Sequence, residues 1–440
     1  TDTHFTVGSD SSVNNSNKTY VAYLFADNSS EDADDQMIKC GSYTGTGGSG
    51  VTVNLGWEAQ WVMVKKSSAT SDWKLMDNMR GMPTPSGGRS LKANDSAAEG
   101  GDSTIRSDSR GFTIYPGSTF DASGTYIYMA IRAPMMKEPE AATDVFGITT
   151  RNVANDNKAP EFRSTFPVDM AMKKWDTTDP TLIVSRLNQG KSMQTSTTSA
   201  EVNFSSAMFD YNNGWSSNAT GANTTLHSWM WKRAKGYMDV VCDTRAFTYG
   251  TLNHSLGVVP ELIIKKNRSR ASTLWDVMPN VSPYDYRYTF YLNDTQAING
   301  PSGSYWQTAP TDTVFGVNYS GDGSSNGDTF IYYLFATLAG ISKVGSYTGN
   351  GSSQTISCGF SAGSRYILIK RTDASGDWYV WDSVRGIVSG NDPHFSLNTN
   401  AGDVTNDDSV DPHNSGFIVN QVSATNINVS SGTYIFYAIA

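Results

Sequence analysis

Apolar and polar residues alternate along most of the chain in short runs, interrupted about every 8–12 residues by Gly, Asn, Ser or Asp, the pattern of many short strands joined by turns. The run that closes the chain, GTYIFYAIA (432–440), is apolar at every position from Tyr434 to Ile439. Both faces of such a strand need cover, so it is expected at the centre of a sandwich, with its own module on one side and aromatic packing or a neighbouring module on the other. The same phrase stands at KTYVAYLFA (18–26), GTYIYMAIR (124–132) and DTFIYYLFA (328–336). Four copies mark an internal repeat.

Other landmarks recur before the closing phrase in a fixed order. A glycine-punctuated hairpin reads IKCGSYTGTGGSGVTVNLG at 38–56, SKVGSYTGNGSSQTISCGF at 342–360 and, more loosely, MDVVCDTRAFTYGTLNHSLG at 238–257. Next comes a strand ending in basic residues, then a strand carrying Trp and Asp. These read QWVMVKK…DWKLMDNMRG (60–81), PELIIKK…STLWDVMP (260–279) and SRYILIKR…DWYVWDSVRG (364–386). A GF strand follows, as in RGFTIYPG, TVFGVNYSG and SGFIVNQV. Complete modules are therefore expected at 38–133, 239–338 and 339–440. The stretch 134–238 reads as a divergent module, opening TDVFGITTRN, carrying FPVDMAMKKW and closing LHSWMWKRAKG. Residues 1–37 hold the third landmark alone, and read as the C-terminal part of a preceding module plus a linker. The fold class expected is all-β, in tandem antiparallel β-sandwich, jelly-roll-like modules of about 100 residues.

Composition agrees with that expectation. The 440 residues include 40 Gly, 22 Tyr, 18 Phe and 11 Trp, and 17% are charged. The net charge is −9 and no basic block is present, which argues against nucleic-acid binding. No apolar run approaches the roughly 20 residues of a membrane span. The chain opens TDTHFTVG, without an initiator Met or an apolar leader, and reads as a processed or excised piece. Cys40, Cys242 and Cys358 have neither CxxC spacing nor an even count, and read as small strand residues.

The strings KVGSYTGNG…RYILIKRTDASGDWYVWDSVRG and SGTYIFYAIA resemble a repeated domain of structural and tail-fibre proteins of tailed bacteriophages, the marine and cyanophage types above all. The junction WKRAKGYMDVVCDTRAFTYGTLNHSLGVVPELIIKK resembles a companion phage domain of pattern WxRAPGFFDVVTYTGNGxxxxxHxLGxxPELxIxK. Ala234, Tyr237, Val240, Val241, His254, Leu256, Gly257, Pro260, Glu261, Leu262 and Lys265 match it, whereas Lys235 stands for the usual Pro and FTYG for the TYTGNG turn. The resemblance implies a laminin-G-like or concanavalin-like sandwich and a place on the virion, in a tail fibre, an appendage or the capsid surface. It implies a structural protein that contributes to host-surface attachment, or alternatively a capsid decoration or tail-assembly component with no receptor role. The expected partners are copies of the same chain, as a trimer on fibre analogy, other virion proteins, and a host surface glycan or protein. It brings no catalytic motif.

None of the five histidines stands in a G-x-S-x-G or H-E-x-x-H context, and His254 reads as a hydrogen-bonding strand-edge residue. Trp73/Asp77 and Trp378/Asp382 share a spacing that puts both side chains on one strand face, with Trp275/Asp276 shifted. Their repetition marks them as core or structural residues, the Asp pairing with Arg80 or Arg385 or capping a turn, with a sugar-binding Trp/Asp platform as the alternative, rather than as the carboxylates of a glycan-degrading enzyme. The acidic loops 27–36, 94–103 and 406–412 lack EF-hand spacing and leave only weak Ca²⁺ binding open, so no cofactor is expected. Trp215, Tyr305 and Trp306 stand in polar, glycine-flanked stretches and are the candidate glycan or partner contacts.

Overall fold

A computed structural model of the chain describes residues 4–27, 36–80, 82, 89–101, 104–133, 136–152, 159–188, 190–209, 211–217, 225–245, 248–303, 305–320 and 323–440. The fold is all-β, and the helix among these residues is confined to single 3₁₀ turns. The strands form four antiparallel sandwiches, numbered here as modules one to four in chain order, each with one large and one small sheet.

The closing phrase lies inside every large sheet. Gly124–Arg132, Thr225–Trp231, Thr329–Phe335 and Thr433–Ile439 are each flanked by the module's opening strand on one side and its lysine-bearing strand on the other. The opening strands are Ile38–Gly45, Phe146–Asn152, Met238–Thr244 and Ser342–Thr348. The lysine strands are Ala59–Lys66, Met170–Trp175, Leu262–Asn267 and Tyr366–Arg371. Beyond each lysine strand lie the Trp/Asp strand (Trp73–Asp77, Leu182–Ser185, Trp275–Pro279, Trp378–Asp382) and a fifth strand (Arg89–Lys92, Lys191–Gln194, Phe290–Tyr291, His394–Ser396). The divergent stretch thus has the same strand order as its neighbours.

Glycines make the close crossings possible. Gly41 faces Tyr128 and Gly345 faces Phe436 across the opening and closing strands, and a methyl group on either glycine would overlap that ring. One lysine per module ties down the hairpin to the Trp/Asp strand. The ammonium of Lys65 donates to Ser71 O (2.6 Å), and Lys174, Lys266 and Lys370 donate to Asp179 O, Thr273 O and Gly376 O, each at 2.5 Å.

Each module buries the inner faces of its two sheets in its own core. The outer faces of the large sheets of modules two, three and four meet in a further core. It is built from residues such as Phe146, Trp229 and Trp231, then Trp275, Tyr333 and Phe335, then Tyr366, Trp378 and Tyr437. Ring contacts bridge the modules, with Phe146–Tyr366 at 5.5 Å, Phe335–Tyr437 at 4.9 Å and Phe290–Trp378 at 5.8 Å. This arrangement accounts for closing strands that are apolar on both faces. Burying an aromatic side chain contributes about 2–3 kcal/mol, and here the second face of the strand collects it too.

The three modules are related by a pseudo-threefold. At every junction the same backbone amide, six residues after the position that follows the fifth strand, donates to the same carbonyl just beyond the neighbour's lysine. Glu201 N bonds Arg268 O at 2.8 Å, Ile298 N bonds Thr372 O at 3.0 Å, and Asp403 N bonds Asp176 O at 3.0 Å. The indole N–H groups follow the same rotation. Trp275 Nε1 donates to Gln194 O and Trp378 Nε1 to Tyr291 O, both at 3.0 Å. Module two has Thr181 where the others have Trp, and there Thr195 Oγ1 bonds Leu397 O instead.

Module one packs beside this ring. Arg233 joins it, donating to Glu58 Oε2 (2.8 Å) and to Asp239 Oδ1 (2.6 Å). Ser109 N donates to Cys242 O at 3.2 Å. Residues 4–27, which include the first closing phrase, have no strand partner among the described residues, and Val21, Tyr23 and Leu24 are exposed.

Candidate functional site

The sequence candidates separate in space. Trp215 is not a loop platform. It lies in the strand Gly214–Trp215, paired with Phe162–Arg163, and is fully buried. Its indole stacks on Phe162 (5.0 Å) and Phe209 (5.6 Å), and Nε1 donates to Ser228 Oγ at 3.0 Å. The pairing Phe162↔Trp215 corresponds to Val53↔Phe112 and Ile356↔Phe417, so Trp215 is the aromatic of the GF strand in module two. The glycine before it was the available signal. A side chain at Gly111, Gly214 or Gly416 would run into a carbonyl of the partner strand.

Tyr305, Trp306 and Asp276 do come together. They line a cleft of about 340 Å³ in module three, with Lys265, Asn267, Thr273, Thr289, Tyr291, Asn318, Ser320 and Phe330 among the other wall residues. The floor is a row across three adjacent strands, Lys265↔Asp276↔Tyr291. The same row reads Val64, Lys74, Lys92 in module one and Ile369, Tyr379, Ser396 in module four. In module two the row reads Lys173, Leu182, Gln194, so module three adds a carboxylate beside a lysine that module two shares and that modules one and four replace with Val64 and Ile369. Lys265 is buried and bonded to Asp276 (3.2 Å), and its ammonium lies 5.4 Å from the ring centres of Tyr319 and Phe330. Burial pushes the Tyr291 phenol up from its ordinary value, with the Asp276 charge acting in the same direction. Trp306 is itself almost fully buried and packs into the module core, so it forms a wall; Tyr305 is half-buried.

This composition suits a polar ligand with apolar faces. Aromatic walls, hydroxyl and amide groups and a fixed ion pair can take a sugar ring by stacking and hydrogen bonding, and the volume lies within the usual range of about 300–1,000 Å³ for small-molecule sites. Among the described residues the lining holds one carboxylate, Asp276, already paired with Lys265.

The remaining candidates have structural places. Asp382 is fully buried, accepts from Arg385 Nε (2.7 Å) and Trp229 Nε1 (2.9 Å), and caps the following turn through Val384 N and Arg385 N (both 3.0 Å). Trp378 and Trp275 lie in the shared core, whereas Trp73 is half-buried on module one. Asp77 pairs in register with Trp61, as Asp382 does with Tyr366, and its expected partner Arg80 lies outside the described side chains. The counterpart of Asp77 in module three is Pro279, which pairs with Leu262, so Asp276 belongs to the opposite sheet face. His254 is buried and bonded to Thr311 O (3.2 Å) and Leu256 N (3.2 Å). Among the described residues no group of three His, Cys, Asp or Glu is placed to hold a metal ion. Residues 28–35 and 102–103 of the acidic loops lie outside them. No helix among the described residues is long and apolar enough to cross a membrane.

A family model described as a domain of unknown function, DUF7483, matches residues 1–134 and 163–440. No curated protein matches the chain.

Proposed function

The chain belongs to the DUF7483 family, and we propose that it is a structural segment of a bacteriophage fibre or virion appendage, assembled from copies of itself, whose third module holds a host-surface glycan. The observation that carries the binding half is the cleft in which Tyr305, Trp306, Tyr291 and the Lys265–Asp276 pair converge. The closed ring of modules two to four supports the structural half. Its shared core and its repeated junction bonds tie three sandwiches into one stiff body, which suits a spacer that carries load. The virion assignment rests on the resemblance of the repeat phrases.

Binding is favoured over glycan cleavage because hydrolysis calls for two carboxyl groups flanking the bond, and among the described residues the cleft offers one, neutralised by a lysine. The test is a glycan array probed with the labelled chain, followed by calorimetry on any hit. Tyr305→Ala should weaken that hit at least tenfold and leave the fold intact. Binding unchanged in Tyr305→Ala, or no hit on any host polysaccharide, would remove the cleft from the proposal. The alternative, a capsid decoration or tail-assembly component with no receptor role, would show as label spread over the head shell or along a shaft instead of at a tip.

A further inference from the structure

Module one has the same outer sheet face as its neighbours, and among the described residues no other module covers that face. The residues that correspond to Tyr366, Leu368, Trp378, Val380, Ile435 and Ile439 are Trp61, Met63, Trp73, Leu75, Ile127 and Ile131. The module-four set is almost wholly buried in the shared core. The module-one set is half-buried, and Ile127 is 42% exposed against 3% for Ile435.

We infer that this face is a self-association surface, on which the first modules of two further copies of the chain complete a true threefold prism. The occupant is read from the molecule itself. Wherever else the face occurs it is covered by two modules of its own kind, in one geometry, with one set of junction bonds. Module one retains both halves of that junction. Ser67, whose amide bonds Thr125 O at 2.9 Å, is the counterpart of Arg268, Thr372 and Asp176, whose amides bond Thr329 O, Thr433 O and Thr225 O. Glu99 stands six residues after Ala93, whose amide bonds Trp73 O, as Glu201, Ile298 and Asp403 stand six after Thr195, Leu292 and Leu397. Both Ser67 and Glu99 are exposed. In the prism, Glu99 N of one copy would meet Ser67 O of the next, and the Trp73 indole would reach the neighbour's fifth strand. The inference rests on the reading that the chain self-associates; it does not depend on the glycan cleft.

The test uses the full chain with Cys40→Ser, which removes the native thiol on this face, together with Ser67→Cys and Glu99→Cys. Light scattering should give three times the 47.8 kDa chain mass. Oxidation should give a covalent trimer on a non-reducing gel. Ile127→Lys, at a position already open to water, should convert the trimer to monomer without changing the circular dichroism. An oligomer that neither cross-links at these positions nor responds to Ile127→Lys overturns the face while leaving self-association standing. A monomer at the highest soluble concentration overturns both.

Discussion

Asp382→Asn should strike the ring at one atom. Oδ1 of Asp382 accepts from the amides of Val384 and Arg385, and Oδ2 accepts from Trp229 Nε1 of module two and from Arg385 Nε. An asparagine can keep the first pair through its carbonyl oxygen. Its amide nitrogen then faces two donors with nothing to accept them. Two hydrogen bonds to a charged acceptor are lost, at about 1.5–3 kcal/mol each, and the Arg385 guanidinium keeps Asp403 Oδ1 at 2.8 Å and Val380 O at 3.1 Å. The expected cost is about 3–5 kcal/mol, the range for breaking a buried ion pair from one side. Urea unfolding at pH 7, followed by tryptophan fluorescence, measures it. Trp229→Phe removes the module-two donor, so the double variant should cost at least about 1 kcal/mol less than the two single changes together. A loss under about 1 kcal/mol for Asp382→Asn, or strict additivity, would refute the view that this carboxylate locks module two to module four.

Two further outcomes follow from the packing. Burial, helped by the nearby Arg385 charge, pushes the His227 imidazole down to about 4. The unfolded chain then binds the proton first, so stability should fall as pH drops from about 6.5 towards 4, and His227→Gln should flatten that slope in a pH series of melting temperatures. Gly316→Ala should destabilise by about 1–3 kcal/mol, because the new methyl would overlap the Trp306 carbonyl and press on Thr308; a change within about 0.5 kcal/mol in urea unfolding would show that the loop carrying the cleft wall yields freely.

Much of the architecture was legible because the cause is local. Alternation, glycine turns and a repeated closing phrase mark strands and modules, and a strand apolar on both faces announces that something must cover its second face. The divergent module could be placed because PVDMAMKKW and LHSWMWK keep that pattern after the landmark residues have gone. The candidate site was legible only in part. Tyr305 and Trp306 were found from their polar, glycine-flanked setting, but the same setting misplaced Trp215, whose strand is two residues long. Lys265 was missed for a geometric reason. Aligning the Lys-Lys doublets puts Lys65 opposite Lys265, whereas the strand register pairs Lys65 with Trp73 and Lys266 with Trp275. A slip of one residue turns every side chain to the other face, so Lys265 and Asp276 point into the sandwich where the doublet alone gives no warning.

The sequence by itself determined the strands, the repeat and the need for a partner on the outer face, because these follow from side-chain chemistry at short range. Only the tertiary structure decided that three modules answer that need for one another around a pseudo-threefold while, among the described residues, no module covers the face of module one. That choice depends on long-range contacts, from Glu201 to Arg268, Ile298 to Thr372 and Asp403 to Asp176. No local pattern encodes which apolar face meets which.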